Sequence, residues 1–475
     1  MTEESGLLRQ LPAEEETSLR YMLKLAGPMI ITTISFTIMQ FVDRFMVSRL
    51  GTAALAAILP AGFISFIPAS FVVGVFASVS TFVSQSLGRD ERKECSSYCW
   101  QAIYIGLVYS AVVLAVVWPA APRVFRLLGH GAEVVEMEVI YLRIMLYANV
   151  VGVFVWASSQ FFMGIHRPII MMYAALVGQV VNVGANYVLI FGKLGFPAMG
   201  IAGAGWGTFI GITVGAGIRM VMFLSGDVSR TFESGRTTRF DFGKMVDLLR
   251  VGLPAGVELM LNVAFWGAVL FWLVGKFGKE ALAATSAVLS VTNVSIMPVV
   301  GLKIALSAAV GKSIGAGRKD VAIKQTGVCL RVALIYMGLV GLCFLIFRDA
   351  LMRVWSSDDK VIGIGVNILI CAAIYQVFHA ARTIYSGSLR GAGDTLWLAI
   401  ASALGAVVVL GLGGLLIVEF FPGLGSLGPW IAATLSIITV GLANRWRFKS
   451  NSWMQIDLFK SRRVGVPVEN GAVVE

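Results

Sequence analysis

Residues 49–57 read RLGTAALAA, and residues 276–284 read KFGKEALAA. The two stretches align Gly51 with Gly278, 227 residues further along the chain. The same separation relates two further glycine pairs, Gly88 with Gly315 and Gly164 with Gly391. Pro28 and Pro254, near the start of each half, are 226 residues apart. Ordered matches at one separation predict that the chain contains two copies of one structural unit.

The composition limits what that unit can be. Of the 475 residues, 57% are apolar and only 14% are charged, and the mean hydropathy is +0.82. Soluble domains carry about 25% charged residues and cannot bury an apolar excess of this size. These figures exclude a soluble enzyme, a disordered chain and a disulfide scaffold, and they predict a polytopic membrane protein.

Twelve apolar stretches are long enough for the roughly 20 residues that a bilayer requires, six in each half. They divide the chain into a cytoplasmic tail (1–24), an N-lobe (25–224), a linker (225–249), a C-lobe (250–446) and a second tail (447–475). The predicted spans are 25–48, 55–86, 97–121, 137–162, 168–192, 199–224, 251–275, 282–311, 325–347, 362–388, 395–419 and 427–444.

An even number of spans in each half leaves both halves in the same orientation. The sequence therefore predicts an all-α polytopic membrane protein, with twelve transmembrane helices in two six-helix lobes. A parallel repeat relates the lobes by a pseudo-two-fold axis along the membrane normal. Two such lobes around a central seam can expose a site to each side of the membrane in turn.

The basic residues indicate the orientation. With both ends in the cytoplasm, the cytoplasmic segments hold 23 of the 38 Lys and Arg residues, against nine on the opposite side and six within spans. Cytoplasmic loops carry an excess of Lys and Arg. We therefore expect both termini and the linker to be cytoplasmic.

Several motifs resemble the multidrug and toxic compound extrusion (MATE) family, and the resemblance extends from about residue 20 to 450. They are LAGPMIITTISFTIMQFVDRFMVSRLGTAALAA at 25–57, NVGANYVLIFG at 182–192, VGLPAGVELMLNVAFW at 251–266 and LRGAGDT at 389–395. The resemblance implies a secondary active antiporter of the inner membrane, working by alternating access. Such a transporter expels organic cations and other amphiphiles in exchange for protons or sodium ions. We expect a monomer in the bilayer with a small-molecule substrate, without a cofactor, a nucleic-acid partner or an enzymatic activity.

Three other classes of membrane protein share some of these features. The alternative within the same superfamily is a flippase for lipids or lipid-linked oligosaccharides, which a basic C-lobe would suit. The major facilitator superfamily also has two six-span repeats, but LGRDERKE at 87–94 has the wrong spacing for its motif. A membrane acyltransferase would need a cluster of acids and histidines, and His379 is the only histidine within a predicted span.

Ionisable groups at bilayer depth are costly and mark candidate sites. Asp43 lies in span 1 where the resemblance implies an ion-coupling acid, although an ion pair with its neighbour Arg44 would also explain it. Asn182 and Asn186 are four residues apart in span 5, so they share one helix face. We predict ion coupling at these three residues, with sodium as the only metal ion considered. Hydrogen bonds between helices remain the alternative role for the two amides.

The C-lobe holds a second set of polar residues. In span 7, Glu258 and Asn262 are one turn apart, and Lys303 lies within the apolar stretch of span 8. We predict that these three residues bind substrate. An ion pair between Glu258 and Lys303 is a further hypothesis, because the residues lie in adjacent spans.

Span 10 contributes the remaining candidates. His379 lies twelve residues before Gly391, where the resemblance implies an acid. Histidine titrates near neutral pH, which suits proton exchange. We therefore predict that His379 takes part in ion coupling, against the alternative of a hydrogen-bonded core histidine. Tyr375, Gln376 and Arg382 are predicted to bind substrate.

Overall fold

Twelve long helices, α1 to α12, contain most of the residues that the structure describes. The computed structural model describes residues 12–127 and 130–459, and these residues contain no β-strand. Each long helix is apolar enough to cross a membrane, which confirms the predicted polytopic all-α class. In chain order the helices are Leu19–Ser48, Thr52–Gly88, Arg92–Leu127, Ala132–Gly164, Pro168–Phe191, Gly200–Leu224, Phe242–Gly275, Lys279–Gly315, Lys319–Ile346, Asp359–Gly391, Thr395–Phe420 and Leu427–Lys449.

The helices extend beyond the apolar stretches that predict them. Helix α1 begins at Leu19, where the side chain of Ser18 accepts a hydrogen bond from the backbone N–H of Tyr21. Helix α10 begins at Asp359 and is capped by Asp358. Such polar capping turns satisfy free backbone N–H groups but do not raise the hydropathy. Much of the two predicted tails, 1–11 and 460–475, lies outside the described residues.

Equivalent glycines start equivalent helices in the two lobes. Gly51 precedes α2 with φ 114°, and Gly278 precedes α8 with φ 96°. Residues with a side chain are strained at such positive φ values, whereas glycine adopts them freely. The repeated glycines are therefore explained by a repeated helix start.

The same internal symmetry is visible where α2 meets α8. A Cβ atom added to Gly88 would overlap the carbonyl oxygen of Lys312, and one added to Gly315 would overlap that of Gln85. Gln85 and Lys312 are themselves 227 residues apart. Each lobe thus offers the same surface to the other, as expected for a two-fold axis between α2 and α8. This packing supports the parallel repeat.

Side-chain hydrogen bonds join the lobes at the end of the bundle that carries Gly88 and Gly315. The hydroxyl of Thr81 donates to the carbonyl oxygen of Arg390 at 3.0 Å, and Gln85 Nε2 donates to that of Gly391, also at 3.0 Å. The buried Glu16 lies at the same end and forms ion pairs with Lys312 and Arg318. The lobes are therefore closed against each other at this end.

Candidate functional site

In the N-lobe, the three predicted ion-coupling residues lie together. Asn186 Nδ2 donates to Asp43 Oδ1 at 2.7 Å, and the same nitrogen is 3.5 Å from Asn182 Oδ1. Both amides are buried. The side-chain oxygen Oδ1 of Asn186 is buried without a hydrogen-bond partner. The group therefore combines a carboxylate with amide oxygens, which are the ligands that hard cations prefer.

Asp43 does not form an ion pair with Arg44 among the described residues. Consecutive side chains point in different directions on a helix, so Asp43 faces α5 while Arg44 is exposed. The local alternative for Asp43 was therefore wrong. The short contact with Asn186 instead ties α1 to α5.

Helix α6 supplies a partner and a packing surface that the sequence analysis missed. Asn182 Nδ2 donates to the hydroxyl of Thr208 at 3.3 Å. Cβ atoms on Gly207 and Gly211 would overlap Asn186 and Asn182, so glycine allows α6 to approach α5 closely. Glycines at four-residue spacing in α6 are the signal that could have revealed this surface.

In the C-lobe, Glu258 pairs with Arg390 rather than with Lys303. Glu258 Oε2 lies 2.6 Å from a guanidinium nitrogen of Arg390, and both side chains are largely buried. The hypothesis of a Glu258–Lys303 pair was therefore wrong. Arg390 lies two residues beyond the predicted end of span 10 at residue 388, but it belongs to the last turn of α10 and its side chain reaches α7.

Asn262 and Arg382 are brought together as partners. Arg382 Nη2 donates to Asn262 Oδ1 at 2.9 Å, and Asn262 Nδ2 donates to the backbone carbonyl of Glu258 at 2.8 Å. Lys303 of α8 lies against α10, because a Cβ atom added to Gly387 would lie 3.1 Å from the Lys303 Cγ atom. The predicted residues of α7, α8 and α10 thus form one polar region.

The other span-10 residues adjoin this region. The Nδ1 atom of His379 is 3.2 Å from the hydroxyl of Thr383, and its ring is 6.3 Å from that of Tyr375 between centroids. Gln376 Nε2 donates to the hydroxyl of Ser295 at 2.9 Å. His379 therefore belongs to the C-lobe region, and Asp43 belongs to a separate group in the N-lobe.

Comparisons with known proteins agree with this architecture. The MatE family profile matches residues 28–188 and 254–413, so it matches once in each lobe, beginning at Pro28 and Pro254. A probable multidrug resistance protein NorM of Mesorhizobium japonicum is 30% identical over 443 residues, covering 90% of this chain and 93% of the relative. The probable NorM of Chromobacterium violaceum is 27% identical over 450 residues, covering 92% and 94%.

Solved structures share the fold. A crystal structure of a MATE protein in complex with MaL6 superposes with a TM-score of 0.82 at 20% identity, covering 95% of this chain and 99% of that one. At this identity the superposition supports the fold alone. The profile matches in both lobes and the similarity to the two NorM relatives show that the chain belongs to the MatE family of multidrug efflux transporters.

Proposed function

We propose that the protein exports organic cations and other amphiphiles in exchange for a proton or a sodium ion, by alternating access between the two lobes. The observation that carries this proposal is the hydrogen bond between Asn186 and Asp43, at 2.7 Å within the N-lobe. A carboxylate held by a neutral amide is able to accept either cation. Family membership supplies the transporter class.

The arrangement of the lobes supports the alternating step. They are closed at the end that carries Gly88 and Gly315, near Glu16 and near Asp457, which lies 3.7 Å from Arg89. The excess of basic residues favours a cytoplasmic location for this end, for both termini and for the linker. We therefore propose that the described conformation opens away from the cytoplasm, in the inner membrane.

The proposed cycle begins with substrate entering between the lobes from the cytoplasm. After the lobes rock, a cation from outside reaches Asp43. A proton would neutralise the carboxylate directly, whereas sodium would be held by Asp43 with the oxygens of Asn182 and Asn186. Either event weakens the charge-assisted bond from Asn186, which is stronger than a neutral hydrogen bond. The contact between α1 and α5 then changes and the substrate is released.

The membrane potential supplies sufficient energy for the efflux of an uncharged amphiphile. One charge that crosses 100 mV supplies about 2.3 kcal/mol. A tenfold concentration ratio requires about 1.4 kcal/mol. A single ion therefore supports more than a tenfold gradient of a neutral substrate. We propose that a monomer carries this out without a cofactor. The flippase alternative is not favoured, because the relatives are named multidrug resistance proteins.

The experiment is dye efflux from proteoliposomes, with a proton gradient and a sodium gradient imposed separately. One of the two gradients should accelerate efflux by the wild type. His379→Ala should insert normally and lose this acceleration, because His379 is proposed as a second coupling group. Wild-type acceleration in that variant would remove His379 from the coupling set but leave Asp43 in it.

A further inference from the structure

We infer that Lys303 and Arg382 bind an acidic group of the substrate; together with Arg390, they are here called the basic cluster. The group is a carboxylate, phosphate or sulfonate on an amphiphile, so the transported compounds include zwitterions and anions. This inference rests on the proposed export function and specifies its substrate class.

The charges of the C-lobe interior do not balance. The basic cluster contains three cations, and Glu258 is the only acid in the middle of a C-lobe helix in the described residues. The ion pair at 2.6 Å assigns Glu258 to Arg390. Lys303 and Arg382 are therefore left without a carboxylate. Other acids of these helices lie at or near helix ends: Asp247, Glu280, Asp320, Asp359, Asp394 and Glu419.

Lys303 has no partner in the part of the chain that the structure describes. Its ammonium group forms no hydrogen bond and no ion pair there, and the side chain is partly exposed. Arg382 donates to Asn262, a neutral amide, at 2.9 Å. A guanidinium carries five N–H donors, so most of its capacity remains free for a ligand.

The cost of these charges points to a ligand. Cations at bilayer depth are expensive unless an opposite charge compensates them, and they mark substrate or ion paths. Lys303 packs against α10, the helix that carries Arg382. An acidic group bound by Lys303 and Arg382 would supply the missing opposite charge.

The geometry of the two cations suits an oxyanion. Arg382 offers a planar fork of donors, which matches the two oxygens of a carboxylate, phosphate or sulfonate. Lys303 adds a compact charge from a different helix, α8. Asn262, fixed by its bond to the Glu258 carbonyl, holds the guanidinium in place. Lys303 and Arg382 therefore offer donors to one acidic group from two helices in contact, α8 and α10.

The test uses rhodamine B, which has a free carboxylate, and its ethyl ester, which does not. Binding to the full-length protein is measured by fluorescence polarisation in phosphatidylcholine nanodiscs. We expect rhodamine B to bind about tenfold more tightly than the ester, the effect of one charge-assisted hydrogen bond. Equal binding of the two dyes by the wild type would overturn the inference.

Three variants attribute the preference to the cluster. Lys303→Gln and Arg382→Gln should each abolish the preference for the acid, measured as the ratio of the dissociation constants of the two dyes. Lys303→Arg, which keeps the charge, should retain it. Lys360→Gln removes an exposed lysine of the same lobe and is the matched control. A preference that survives in both Gln variants would contradict the assignment.

A lipid headgroup could supply the same acidic chemistry. Adding phosphatidylglycerol to the nanodiscs separates the two sources. If it abolishes the binding of rhodamine B in the wild type, a lipid is the occupant and the substrate assignment is wrong. If binding persists, the assignment is supported.

The inference and the proposed function fail in different ways. If a cation gradient drives export of the ester but rhodamine B shows no preference in binding, the inference alone is wrong. If neither dye is exported but acid binding depends on Lys303, the export function is wrong and the acidic-group site stands.

Discussion

Asn186 donates a hydrogen bond of 2.7 Å to Asp43, and this bond joins α5 to α1 within the N-lobe. The donor belongs to a buried amide whose own oxygen has no hydrogen-bond partner. A cation that reaches Asp43 must compete with the N–H donor, but it can gain the free oxygen as a ligand. Asn186 thus affects how readily Asp43 binds a cation, and whether that cation is a proton or a sodium ion.

Replacing Asn186 should therefore distinguish sodium coupling from proton coupling. In Asn186→Leu, sodium loses an oxygen ligand, so the sodium concentration that half-saturates efflux should rise about tenfold. If the proton is the coupling ion, half-saturation should move to a lower proton concentration, because the proton no longer competes with the amide. Efflux from proteoliposomes at graded pH and sodium concentration measures both.

The control for this change is Asn149→Leu. Asn149 is an amide of the same lobe that donates to Ser65, away from Asp43. The Asn149→Leu substitution should leave the half-saturating concentrations of both sodium ions and protons unchanged. An Asn186→Leu protein with the half-saturation values of the wild type would exclude Asn186 from the ion site.

Breaking the pair between Glu258 and Arg390 should destabilise the C-lobe. Glu258→Gln leaves a guanidinium largely buried without its carboxylate, which costs about 3 kcal/mol. We expect the apparent Tm in detergent to fall by about 5 °C or more. The double variant Glu258→Gln/Arg390→Gln should recover part of the loss.

The matched control is Arg353→Gln, which removes one partner of the exposed pair with Asp349. Exposed pairs contribute about 0–1 kcal/mol. If Glu258→Gln lowers the apparent Tm no more than this control does, the buried pair is not a stabilising contact.

The sequence correctly predicted those features that depend on patterns within the chain itself. Hydropathy predicted twelve spans, and glycines at one fixed separation predicted the duplication. The spacing of Asn182 and Asn186 placed both on one helix face. Each of these signals depends on residues that are close in sequence or repeated at a constant interval.

The missed features depend on how helices pack. Arg390 lies beyond the predicted span 10, which ends at residue 388, yet its long side chain reaches Glu258 on α7. Thr208 became a partner of Asn182 because Gly207 and Gly211 allow α6 to approach α5 closely. The amino-acid sequence of a single chain does not show which helices pack against each other.

Because the lobes approach each other closely at Gly88, we predict that a larger residue at this position impairs transport. In Gly88→Ala, the new methyl group would overlap the carbonyl oxygen of Lys312 when the lobes close at this end. We expect efflux to fall about fivefold or more, since overpacking costs about 1–3 kcal/mol. Ala308 is buried in the closed contact. A cysteine introduced there should react faster with a maleimide reagent in the Gly88→Ala protein than in the protein that keeps Gly88.

Gly184→Ala is the control, because a methyl group there meets no other atom within 4 Å. It should leave both efflux and the labelling rate unchanged. Wild-type behaviour of Gly88→Ala in both assays would show that this contact does not limit closure.

His166, in the turn between α4 and α5, should make the closed contact sensitive to acid. Its Nε2 atom donates to the carbonyl oxygen of Ala308 in the other lobe at 3.2 Å, and its Nδ1 atom accepts from the hydroxyl of Tyr21 at 2.9 Å. Burial, followed by the charge of Lys312, lowers the pKa of His166 to about 3. The closed contact therefore uses the neutral ring.

The sign of the effect follows from the lowered pKa. Below the ordinary value of about 6.5, a separated or unfolded state binds a proton that the closed state does not. The stability of the closed state should fall as pH decreases from about 6.5 toward 3, by at most about 1.4 kcal/mol per pH unit. In His166→Gln, the apparent Tm should decline less between pH 7 and pH 5 than in the wild type.

Tyr21→Phe serves as the comparison, because it removes a hydrogen bond but leaves the histidine able to titrate. It should keep the pH dependence of the wild type. Identical pH slopes for the wild type and His166→Gln would show that His166 does not cause the sensitivity to acid.

Ion-driven efflux by Asp43→Asn tests the central claim most directly. Wild type, Asp43→Asn and the exposed-acid control Asp349→Asn are reconstituted in equal amounts, and dye efflux is recorded with an imposed proton or sodium gradient. We predict that one gradient accelerates efflux in the wild type and in the control, and that Asp43→Asn inserts normally but shows no acceleration. Acceleration of Asp43→Asn at the wild-type rate would contradict the assignment of ion coupling to the N-lobe.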